Sequence, residues 1–118
     1  MERPSGKEIY NKIRKAKEAV LENSIVVVDP VVIAEDAIEL GYQAKDLTKV
    51  LSDILEEIAP NHYAGSRPPK KSYKSDILNL ELFAFCWVSK FFGCESYLKF
   101  CIKQDSIYLV SLHQHRGK

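Results

Sequence analysis

The chain has 118 residues, 46% of them apolar and 28% charged, with a net charge of +1. Such a length forms one domain with a single hydrophobic core that needs neither metal nor disulfide, and the composition is that of an ordinary soluble protein. No apolar run approaches the length of a membrane span and MERPSGKE is neither a signal peptide nor an anchor, so the expected location is the cytoplasm.

The first predicted element is a helix from about Lys7 to Glu22, with Ser5 and Glu8 at capping-box spacing. Ile9, Ile13, Ala16 and Val20 fall on one face, and Lys7, Arg14, Lys15 and Lys17 lie away from it. Those cations are either a solvated surface or a basic face that follows a phosphate backbone. Ser24 to Val28 reads as a short strand or an extended connection. Asp29 and Pro30 then start a second helix, whose Ile33, Ala37, Ile38 and Leu40 make a stripe and whose left-handed cap falls on Gly41. A third helix, Lys45 to Ile58, carries Leu47, Val50, Leu51, Ile54, Leu55 and Ile58 at helical spacing until Pro60 ends it. Ala37, Gly41, Leu47 and Val50 also have the spacing of a DNA-binding helix-turn-helix. Its reading helix would present Asp46, Asp53, Glu56 and Glu57 to phosphate, so two helices packed on a sheet are the simpler account.

Up to residue 58 the chain holds 8 Lys and Arg against 12 Asp and Glu, and beyond it 9 against 4. The change of sign falls at APNHYAGSRPPKKSYKS, residues 59 to 75, the one long irregular segment. Three prolines stiffen it, and Arg67, Lys70, Lys71 and Lys74 alternate with Tyr63 and Tyr73. Cations beside stacking rings suit single-stranded RNA, so Lys70, Lys71, Tyr73 and Lys74 are candidate RNA-binding residues; a solvated connection is the other reading. His62 reads as loop decoration.

LELFAFCWVSKFFG, residues 80 to 93, reads as a strand with Phe83, Phe85 and Trp87 on one face and Leu82, Ala84, Cys86 and Val88 on the other. Apolar on both sides, it is expected at the centre of a sheet or facing a partner, with Trp87 a core residue. Cys94 to His115 then alternates as a hairpin around Gln104 and Asp105. Leu98, Phe100 and Ile102 share one face, and Tyr97, Lys99, Cys101 and Lys103 the other. In the return strand Tyr108, Val110 and Leu112 form one set, and Ile107, Leu109, Ser111 and His113 the second. Pairs across this turn sum to 209 or 210, which puts Tyr97 opposite residue 112 or 113. The expected fold is α+β: three helices on a small antiparallel sheet of three to four strands.

LGYQAKDLTKVLSDI, the tyrosine of NHYAGS, and above all GCESYLKFCIKQDSIYLVSLHQ resemble the MqsR toxins, a branch of the RelE-like mRNA interferases. The resemblance spans roughly residues 12 to 116 and is closest over the last thirty. It implies a ribosome-independent, metal-free endoribonuclease that cuts messenger RNA and is held in check by a co-expressed antitoxin protein. It places Tyr97 at the family's catalytic tyrosine and His113 where the family has a lysine. This chain departs from the pattern at Ala64, where a lysine follows the loop tyrosine, and over Phe83 to Phe85, where a strand glutamine is expected. Arg67 or Lys71 is the candidate replacement for the missing loop cation.

The residues support similar chemistry without the family. RNA cleavage without metal needs a base for the 2′-hydroxyl, a cation for the phosphorane and an acid for the leaving oxygen. Tyr97 and His113, with Lys99 beside them and Arg67 reaching from the loop, are the candidate catalytic set. Each has a plainer reading: a strand tyrosine, a surface histidine, a lysine guarding a sheet edge. Cys86, Cys94 and Cys101 show no CxxC spacing and read as reduced, mostly buried thiols, so neither metal nor cofactor is expected. The competing functions are a non-catalytic RNA- or protein-binding module on the same fold, and the helix-turn-helix regulator. Oligomeric state has no signature here.

Overall fold

A computed structural model describes residues 3 to 115. The elements are α1 (Gly6–Leu21), β1 (Ile25–Val27), α2 (Pro30–Leu40), α3 (Leu47–Leu55), β2 (Phe83–Ser89), β3 (Cys94–Lys103) and β4 (Ser106–Gln114). Local chemistry accounts for the helix ends. Ser5 Oγ accepts the Glu8 amide at 3.1 Å, Asp29 caps α2 before Pro30, and Gly41 closes it at φ +88°. The expected capping box is half formed, because the Glu8 carboxylate turns to Arg3 instead of the Ser5 amide. Helix α3 is shorter than its apolar stripe: a 3₁₀ turn at Ala44–Asp46 precedes it, and the Glu57 amide bonds Ile54 with a tightened last turn. Ile58 nonetheless stays buried past the helix end.

The four strands form one sheet in the order β1-β4-β3-β2. The fold is α+β as expected, but the sheet is mixed rather than antiparallel, since β1 runs parallel to β4. Three residues cannot pair on their own, and Ser24 settles the choice of neighbour: its carbonyl accepts the Ile107 amide and its hydroxyl meets that of Ser106 at 2.6 Å. Strand β2 lies at the sheet edge, not its centre. Its aromatic face is covered by the core while Val88 on the other face is 75% exposed. Residues 90 to 93 belong to a turn that ends at Gly93 with φ +73°, so the strand stops four residues before the expected boundary.

The helices cover one side of this sheet. Ile9, Ile13, Val20, Ile33, Val50, Leu51 and Ile54 pack with Phe83, Phe85, Trp87, Leu98, Phe100, Ile107, Leu109 and Leu112. The last three overturn the face assignment expected for β4. Lys99 pairs with Ser111 and Phe100 with Leu109, leaving Val110 as an extra residue in a β-bulge. Alternation restarts there, so Ile107, Leu109 and Leu112 all point into the core, and Ser111 and His113 turn to the opposite side. No described helix is long and apolar enough to cross a membrane.

Candidate functional site

The bulge brings the hairpin's polar side chains together on the face away from the helices. Tyr97 and His113 are direct partners across β3 and β4, their rings stacked with centroids 5.0 Å apart and planes 20° from parallel. His113 Nδ1 lies 2.8 Å from the Gln114 carbonyl oxygen. A carbonyl only accepts, so Nδ1 carries the proton and Nε2 of the neutral ring is left as the base. Burial, with a smaller contribution from Cys86, raises the pKa of the Tyr97 phenol, so this hydroxyl keeps its proton near neutral pH.

Lys99 sits two pairs further along on the same face, opposite Ser111. Between these strands and the loop lies a cleft of about 240 Å³, lined by Gly65, Ser66 and Lys70 on one side and Ala84, Tyr97 and Lys99 on the other. Two lysines and a tyrosine therefore share its wall. The loop that supplies Lys70 is held to the free edge of β2. The Ala64 amide donates to the Ala84 carbonyl at 2.8 Å, and the Leu82 amide to that of Lys70 at 2.8 Å. Tyr63 packs on Phe83 and Phe85 and donates its hydroxyl to the Ser66 carbonyl at 2.5 Å. Gly65 leaves room for that ring: a Cβ on residue 65 would lie 2.6 Å from the Tyr63 hydroxyl and would push it aside.

The remaining expected site residues are placed differently. Arg67 donates to the Pro4 carbonyl at 2.9 Å and lies over the Tyr63 ring, while Lys70 is the loop cation that lines the cleft. The backbones of Lys71 and Glu81 pair in an isolated antiparallel bridge, and Tyr73, 89% exposed, and Lys74 stand in solvent nearby. His62 accepts the Ala59 amide and closes its own 3₁₀ turn. A further group on the same face has no motif in the sequence. Cys86, Glu95 and His115 bring a thiol, a carboxylate and an imidazole within 4.8 Å of one another. Their signal is register alone: residues summing to 210 pair across β3 and β4, which sets His115 opposite Glu95. Comparison with protein-family models and with curated proteins finds no match to this sequence.

Proposed function

We propose that the chain is a metal-independent endoribonuclease of the RelE-like, MqsR-type class, acting on single-stranded messenger RNA in the cytoplasm and restrained by a cognate antitoxin protein. The observation that carries this reading is the stacked Tyr97 and His113 pair on the helix-free face, next to a cleft walled by Lys70 and Lys99. In the reaction His113 Nε2 takes the proton of the 2′-hydroxyl, whose oxygen attacks the adjacent phosphorus. The ammonium groups of Lys99 and Lys70 meet the charge on the phosphorane oxygens. Tyr97 gives its proton to the departing 5′-oxygen, and the products are a 2′,3′-cyclic phosphate and a 5′-hydroxyl.

The test is incubation of the full chain with unstructured RNA in EDTA, read by gel and by end-group analysis. Wild type is expected to leave cyclic phosphate ends, and His113→Ala and Tyr97→Phe to lose about 10²- to 10⁴-fold in rate. Cutting that survives both substitutions, or no cutting by wild type, ends the proposal. The exposed Tyr73 with Lys70, Lys71 and Lys74 around it favours one other reading, an RNA-docking module without catalysis. Tight RNA binding with no cleavage selects it.

A further inference from the structure

We propose that Cys86, Glu95 and His115 form a zinc-class metal site at the end of the open sheet face. Three chain segments build it. Val88 pairs with Glu95 and Cys86 with Tyr97, so Cys86 stands diagonal to Glu95 on the same face. The His115 amide donates to the Glu95 carbonyl at 2.8 Å, which carries the β3–β4 ladder one residue past β4 and sets the imidazole across from the carboxylate. Backbone hydrogen bonds therefore fix where all three side chains begin.

The donor atoms are close to what a metal asks. Tetrahedral zinc with Zn–S near 2.3 Å and Zn–O or Zn–N near 2.0–2.1 Å separates sulfur from oxygen by about 3.6 Å. Cys86 Sγ already lies 3.8 Å from Glu95 Oε2, and the three ligand atoms are within 4.8 Å of one another. Without metal the thiol donates to that carboxylate, and burial together with Glu95 keeps it protonated. On binding, the sulfur keeps the S–H electron pair and shares it with the metal, and the proton leaves for solvent. One thiolate, one imidazole and one carboxylate suit a borderline cation such as Zn²⁺ or Co²⁺ over hard Mg²⁺ or Ca²⁺. Glu95 is exposed and Cys86 and His115 are half-buried, so an ion has a way in. Three protein ligands leave a fourth position open.

The inference does not rest on the nuclease reading, because the RNA chemistry above uses no metal. Its test is titration of the full, reduced chain with CoCl₂, followed by displacement with ZnCl₂. One equivalent is expected to give a thiolate-to-cobalt charge-transfer band and the strong visible absorption of a four-coordinate ion. Cys86→Ser should abolish the band. Glu95→Gln and His115→Ala should each weaken binding by more than the roughly 10- to 100-fold that loss of an outer-shell partner costs. Cys94→Ser should leave it unchanged, because Cys94 lies beside Ser96, a core-facing residue. In the unaltered chain, ZnCl₂ should slow alkylation of Cys86. The site does not exist if wild type shows no thiolate band, if the band survives Cys86→Ser, or if zinc leaves Cys86 equally reactive.

Discussion

Glu57 accepts from the Trp87 indole at 2.8 Å, the Ser89 hydroxyl at 2.7 Å and the Phe91 amide at 2.9 Å. One carboxylate thus joins the end of α3 to the turn between β2 and β3. Burial alone would raise its pKa, but these hydrogen bonds outweigh that and hold it below the ordinary carboxylate range. A carboxyl held low in the folded state stabilises the fold above its unfolded value of about 4.3, and that contribution is lost as pH falls through the lower folded value. Glu57→Ala leaves the buried Ser89 hydroxyl and the Trp87 N–H without an acceptor, at about 1–3 kcal/mol apiece. Urea unfolding followed by circular dichroism should show a lower midpoint at neutral pH and a smaller difference from wild type at about pH 3. A difference unaffected by acid would remove the charge from the account. Read as a sequence, Glu57 is one of four acids on a helix that would repel DNA. Its partners lie thirty or more residues away, and no periodicity points to them.

At the scale of elements, alternation served well in β2 and β3 and misled in β4. Phe83, Phe85 and Trp87 are the core face of β2 as their spacing predicts, and the hairpin pairs Tyr97 with His113, one of the two partners its turn allows. The bulge at Val110 was illegible because a period of two has no way to mark an inserted residue, and Val, Ser and Leu at 110 to 112 suit either face. Its position makes a prediction. Deleting Val110 leaves Leu109, Ser111, Leu112 and His113 in strict alternation with Leu109 and Leu112 inward, so the pairing of Tyr97 with His113 persists. The deletion variant should melt cooperatively, at a cost of about 1 kcal/mol. A chain that fails to fold would mean that the extra twist of the bulge is itself required.

Across the whole molecule, the acidic first half of the chain supplies the three helices and the basic second half supplies the open sheet face and its loop. If Lys70, Lys71, Lys74 and Lys99 each meet one phosphate, log K for RNA should fall against log salt with a slope near −3, at about −0.7 per contact for a single strand. Fluorescence anisotropy with a 2′-O-methyl oligonucleotide, which cannot be cut, measures it. Replacing Lys70, Lys71 and Lys74 by Gln should flatten the slope to about −1, and an unchanged slope would move the binding face elsewhere. The two-layer arrangement was legible from the order of elements, because three amphipathic helices and three apolar-faced strands can hide their stripes only against each other. The parallel partner of β1 was not, since a three-residue strand has too little pattern to choose an edge.

That pairing bears on when the fold can be completed. The ladder between Ile25–Val27 and Ile107–Leu109 joins one piece of chain to another that is made 82 residues later. During synthesis the helical layer emerges with its greasy side bare, and it waits until β4 has been made before the sheet that covers it is whole. The aromatic pair opposite that layer is assembled by the same late event, so a ribosome-bound precursor carries neither its finished core nor its reactive face.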